Sequence, residues 1–196
     1  MIRIEQPAMA LHSHDVPSFK FKMWNTWTVE EKSSLAHMID WVAFVAKTAP
    51  GGKLKNVVIN CHGFYGIGSD TPLICTKNGK IGTGGFGLAI GAGITGHDCE
   101  KFTPWKGLVD HIWITACGVA RITTSGAIGQ GDGNLFCSAL AKSSGAYVYT
   151  PVVMQQGVLF LPFGYIDDYE GLLLRYEPKN GSVDYSKVYP NNGIPC

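Results

Sequence analysis

Apolar and polar residues alternate at the start of Phe19–Trp27 (FKFKMWNTW), the period of a half-buried strand. From Thr28 the period lengthens. Leu35, Met38, Ile39, Val42, Val45 and Ala46 recur at the spacing of one helical face, and Pro50-Gly51-Gly52 ends the run. Thr28 with Glu31 three residues on matches a capping box, so the pattern predicts a helix over about 28–48 whose Met and Trp residues form a core stripe. Three short runs are near-continuously apolar and rich in β-branched residues: Lys55–Cys61 (KNVVINC), His111–Cys117 (HIWITAC) and Ala146–Thr150 (AYVYT). Such runs belong to strands buried on both faces. A helix over Gly133–Ser144, closed by Gly145, precedes the third. Leu172–Glu177 and Ser182–Val188 flank Asn180-Gly181, a hairpin-turn dipeptide.

Buried strands separated by helical or long crossover segments imply right-handed βαβ units. The expected fold class is α/β: a mostly parallel sheet with helices on both faces, forming a three-layer sandwich, and a C-terminal β-hairpin. The chain of 196 residues suits one domain, 1–196, and is short for two. No internal repeat or low-complexity linker divides it.

Composition narrows the function classes. Charged residues make up 16% and hydrophobic ones 45%, which excludes disorder and implies a large core. A net charge of +1 without a basic stripe argues against nucleic acid and against an anionic membrane. The N-terminal residues contain no apolar segment fit for a secretory signal, and no stretch is long enough to span a bilayer. A soluble, cytoplasmic chain is the expectation. Six cysteines (Cys61, Cys75, Cys99, Cys117, Cys137, Cys196) in a core-rich chain of this size are expected as reduced thiols. His12-x-His14 and His97-x-Cys99 lack the paired spacing of a tetrahedral metal site, so no metal is expected. Glycine is in excess, with 25 residues, concentrated at Gly82–Gly96 and Gly126–Gly133 where loops would lie. Gly82-x-Gly84-x-x-Gly87 and Gly91-x-Gly93-x-x-Gly96 both match the dinucleotide fingerprint formally. Neither follows a convincing strand, and a surface loop near the cleft is the better reading.

Open α/β sheets place ligands at the carboxyl ends of their strands. Two of the three buried runs end there in reactive side chains, His62 and Cys117. A strand-end cysteine alone is most often core, and a strand-end histidine most often structural. If the two strands are parallel neighbours, however, imidazole and thiol emerge on one rim, where the imidazole can take the thiol proton. Glycine follows each, leaving backbone open to a substrate carbonyl and amides free to point at an oxyanion. Cys61 points to the opposite side of its strand from His62 and is expected in the core, as is Cys137 in its helix. Trp105, Trp113, Tyr147 and Tyr149 could wall a pocket, with core packing the default.

At these residues the chain resembles the caspase-like cysteine peptidases, the group of caspases, metacaspases, clostripain and gingipains. Its marks are an apolar strand ending in His-Gly, here Val57-Val58-Ile59-Asn60-Cys61-His62-Gly63, and a later one ending in Ala-Cys, here Ile112-Trp113-Ile114-Thr115-Ala116-Cys117-Gly118. The order, His before Cys, and the glycine-rich loop, helix and strand that follow also look like the group. The resemblance covers roughly 55–151. It implies peptide-bond hydrolysis without a cofactor by a dyad of Cys117 as nucleophile and His62 as general acid/base. It implies backbone amides of Gly63 and Cys117 as oxyanion donors, and a peptide or protein as substrate. Thr115, Tyr149 and Thr150 stand where a substrate pocket is expected. Thr115 occupies the place of a caspase glutamine and glycine follows Cys117 one position early, so aspartate preference does not carry over. Asp70 and Asp132 are conceivable pocket acids for a basic P1. Two other readings stay open: an inactive caspase-like binding or scaffold domain, and another Cys/His acyl-transfer effector of deamidase type.

Overall fold

The computed structural model describes residues 1–16, 21–64, 87–123, 131–153, 155 and 161–190. Its main elements are β1 (Ala8–Ser13), β2 (Asn25–Val29), α1 (Leu35–Thr48), β3 (Leu54–Asn60), β4 (Val109–Ile114), α2 (Gly133–Ser144), β5 (Tyr147–Pro151), β6 (Leu172–Tyr176) and β7 (Val183–Val188). The seven strands form one sheet in the order β7-β6-β5-β4-β3-β1-β2. From β2 to β5 every neighbouring pair is parallel, while β5-β6 and β6-β7 are antiparallel. The α/β class, the mostly parallel sheet and the C-terminal hairpin are as expected.

Alternate residues of the strands supply two cores. On one face Leu11, Val57, Ile59, Ile112, Ile114 and Val148 pack with residues of α1 and α2 and with the 3-10 segment Gly96–Trp105. Trp105 anchors that layer: it is 1% exposed, its Nε1 donates to the Ile39 carbonyl at 3.1 Å, and Phe102 meets it edge-on at 4.9 Å. Each such buried side chain contributes about 1.5–3 kcal/mol. On the other face Ala10, Val58, Tyr149 and Leu173 pack under Ile4, Phe21, Met23, Ile166, Tyr169 and Tyr189.

Helices were expected on both faces. Among the described residues they cover one face, and irregular chain forms the third layer. Crossover handedness accounts for this. The connections β2 to β3, β3 to β4 and β4 to β5 all step the same way along the sheet, so right-handedness puts α1, the 3-10 segment and α2 on the same side. Only β1 to β2 steps the other way, and that connection carries Phe21 and Met23 onto the second face.

Three local expectations need correction. Thr28 does not open a helix: it lies in β2, paired with His12 of β1. Helix α1 begins at Leu35, and the Oγ of Ser34 accepts from the His37 amide at 3.2 Å. The strand expected over 19–27 is found at Asn25–Val29, with Phe19 and Lys20 outside the described residues. Residues 115–117 continue past the end of β4 and are not part of it.

Candidate active site

Spatial order reverses between β1 and β3: β2 lies to one side of β1, and β3, β4 and β5 follow on the other. Such a switch point splays the connecting chains apart and leaves a crevice at the carboxyl ends of the strands. Because Ile59 of β3 pairs with Ile114 of β4, the chains leaving them run side by side, and the Thr115 amide donates to the Ile59 carbonyl at 3.0 Å. Cys61-His62-Gly63 and Thr115-Ala116-Cys117-Gly118 therefore share one rim.

The approach is close. A Cβ on Gly63 would lie 2.0 Å from the Cys117 carbonyl oxygen and 3.3 Å from the Cys117 nitrogen, so no side chain fits there. His62 opens a short strand, His62–Phe64, paired antiparallel with Gly87–Ala89, which pairs in turn with Ile94–Thr95. The end of the glycine-rich stretch thus frames His62. Gly91 and Gly93, both at positive φ, make the turn of that small sheet, so the second fingerprint match is an antiparallel turn and not a strand-to-helix phosphate loop. Gly82, Gly84 and residues 126–130 lie outside the described residues.

The His62 side chain is 32% exposed, and its Nε2 lies 4.0 Å from Oδ2 of Asp15, just past β1. The Ser13 hydroxyl donates to the other Asp15 oxygen. The Cys117 sulfur accepts from the Gln155 amide at 3.3 Å and faces the Gln155 carbonyl at 3.7 Å. Gln155 is itself fixed, since its side-chain amide donates to the carbonyls of Val153 and Glu170 and accepts from the Glu170 amide. Gly118, at φ +58°, donates its amide to Val153.

Beneath the rim a polar chain ties three strands together. Thr115 Oγ1 donates to Asn60 Oδ1 at 3.0 Å, Asn60 Nδ2 donates to His12 Nδ1 at 2.9 Å, and His12 Nε2 donates to the Phe21 carbonyl at 3.1 Å. Both ring nitrogens of His12, a residue 1% exposed, are engaged within the protein. Among the described residues no three His, Cys, Asp or Glu side chains cluster to hold a metal ion.

The residues expected at a substrate pocket differ in their surroundings. The Thr115 hydroxyl turns into the polar chain just described. Tyr149 sits at mid-strand on the helix-free face, its ring flat on Trp113 at 3.8 Å and its hydroxyl accepting from Arg175 at 3.3 Å. Thr150 is fully buried. Strand β5 continues to Pro151, so the rim opposite Cys117 is formed by Pro151 and Val153, whose carbonyls accept from the amides of Ala120 and Gly118. Asp70 lies outside the described residues, and the Asp132 backbone pairs with Ile122 in a two-residue ladder. A cleft of about 580 Å³ between Arg3–Gln6 and Phe163–Tyr165 includes none of these residues.

The four described cysteines, Cys61, Cys99, Cys117 and Cys137, are thiols. Burial, reinforced by the charge of Asp15 and by Cys117, pushes the Cys61 thiol far up, and burial pushes Cys99 up to about 12. Cys117 alone of the four is partly exposed. Asp15 and Gln155 escaped the reading of the sequence. Recognising Ala8–Ser13 as a strand would have pointed to Asp15, and no local pattern marks Gln155. No helix among the described residues is long and apolar enough to cross a membrane. Comparison of the chain with family models, with curated proteins and with solved structures finds no match.

Proposed function

We propose that the chain is a cysteine endopeptidase of the caspase-like type, with Cys117 as nucleophile and His62 as general acid/base. The observation that carries this reading is the backbone contact of Gly63 with Cys117, which sets the chain bearing the imidazole beside the chain bearing the thiol at the switch-point crevice.

His62 takes the Cys117 proton as the sulfur attacks the scissile carbonyl. The oxyanion that forms falls to the amides of Gly63 and Cys117, and one such donor lowers the barrier by about 3–4 kcal/mol. His62 then protonates the departing amine, leaving a thioester on Cys117. It next removes a proton from water, which attacks the thioester, releases the acid product and restores the thiol. The Gln155 amide already points at the sulfur, as a donor that stabilises developing negative charge must. No cofactor enters these steps, and the substrate is a peptide or protein.

A panel of fluorogenic peptides varied at P1, run with the wild type and with Cys117→Ala, tests the reading. Cleavage of at least one class by the wild type and of none by the variant is expected. A panel flat for both would overturn the peptidase reading in favour of a scaffold domain if the thiol is inert, and of another acyl-transfer chemistry if it is reactive.

A further inference from the structure

Three strands, not two, deliver ionisable side chains to the crevice. β3 brings His62, β4 brings Cys117, and β1, across the switch point from β3, brings Asp15. We infer that Asp15 orients the His62 imidazole, so that the site operates as a Cys117–His62–Asp15 triad; this rests on the peptidase reading above.

The geometry places a tethered carboxylate beside the imidazole. Oδ2 of Asp15 lies 4.0 Å from Nε2 of His62, close enough for a small side-chain rotation to close a hydrogen bond. The opposite oxygen is tethered by the Ser13 hydroxyl, which limits the rotamers of a residue otherwise in a turn. Ser13 is buried, and the Val16 amide donates to its carbonyl, so the tether itself is anchored. Both partners are only about a third exposed, 32% and 35%, which limits screening by water. An imidazole that donates from Nε2 to a carboxylate keeps its proton there and presents the lone pair of Nδ1 to the thiol. When the proton moves from Cys117 to Nδ1, the imidazolium that results is stabilised by the charge on Asp15. Nothing is consumed and no other group is needed: Asp15 stays ionised throughout. It is a positioning residue, acting on substrate only through His62.

The experiment combines a spectroscopic and a kinetic readout on wild type, Asp15→Asn, Asp15→Glu and His62→Ala. In protein labelled with 15N-histidine, long-range 1H–15N correlation reports which ring nitrogen of neutral His62 carries the proton. The rate of Cys117 alkylation by iodoacetamide reports activation of the thiol. The Nε2–H tautomer is expected in the wild type, with a mixed population in Asp15→Asn. The alkylation rate should fall about 10-fold or more in Asp15→Asn and recover in part in Asp15→Glu. Dispersed spectra for Asp15→Asn establish that the fold is intact; if that variant unfolds, Asp15→Glu retaining the wild-type tautomer supports the role and losing it overturns it. An unchanged tautomer and a rate within about twofold in folded Asp15→Asn, with His62→Ala still slowing alkylation, would overturn the role of Asp15 and leave the dyad. Alkylation indifferent to His62→Ala would overturn the peptidase reading and the triad with it.

Discussion

Gly63 has no room for a side chain, because its α-carbon rests against the backbone of Cys117. Its backbone φ is ordinary, so close approach and not conformational freedom requires glycine there. Gly63→Ala forces two backbone segments apart. It should cost about 1–3 kcal/mol in urea unfolding and slow alkylation of Cys117, whereas Gly96→Ala, where a Cβ meets nothing within 4 Å, should stay within about 0.5 kcal/mol of wild type. Equal stability of the two variants would contradict the packing described. At this scale the placement of His62-Gly63 beside Cys117-Gly118 was legible because the signal is local: a reactive side chain and a glycine closing an apolar run. The surroundings of Thr115, Tyr149 and Thr150 were less legible, because proximity in sequence to a strand end does not say which face a side chain takes. Parity along β5 sends Tyr149 to the helix-free face and Thr150 into the interior.

Strand β1 is made of Ala8-Met9-Ala10-Leu11-His12-Ser13, residues that favour helices or favour nothing, and all six are buried. Central placement in the sheet, paired on both sides, overrides that propensity. Asp15 went unnoticed with it. Helix α1 was legible in its apolar stripe and not in its start, because Thr28 satisfies a capping pattern that the β1 pairing claims first. On the helix-free face of β4 and β5 the register sets His111 beside Tyr147 and Trp113 beside Tyr149. His111 stacks on Tyr147 at 5.5 Å, and its Nδ1 is buried with no hydrogen-bond partner among the described residues. Burial holds its imidazolium form below the usual range; Asp110 opposes that and the Arg175 charge adds to it. The unfolded chain therefore takes up this proton at higher pH than the folded one, and stability is lost as pH falls through about 6.5. His111→Phe keeps the stacking and removes the titration. The difference in urea midpoint between His111→Phe and wild type should grow in favour of the variant as pH is lowered from about 7.5 to about 5. A constant difference would contradict the account.

In the whole molecule the topology does the work that no motif can. The parallel neighbours β3 and β4 carry His62 and Cys117 to one rim from distant parts of the chain, next to the reversal of strand order at β1. Alternating strand and helix patterns were enough to anticipate the α/β class and the parallel sheet. The one-sided helical layer was not legible, since it depends on the direction in which each crossover steps, and that follows from strand order and not from any local residue pattern. The central claim is that this topology activates one thiol through one imidazole. It is tested most directly by site-resolved alkylation with iodoacetamide near neutral pH, following all six cysteines by mass spectrometry in the wild type and in His62→Ala. Cys117 is predicted to react ahead of the other five and to slow by at least about tenfold when the imidazole is removed; a Cys117 rate unchanged within about twofold in His62→Ala would contradict it.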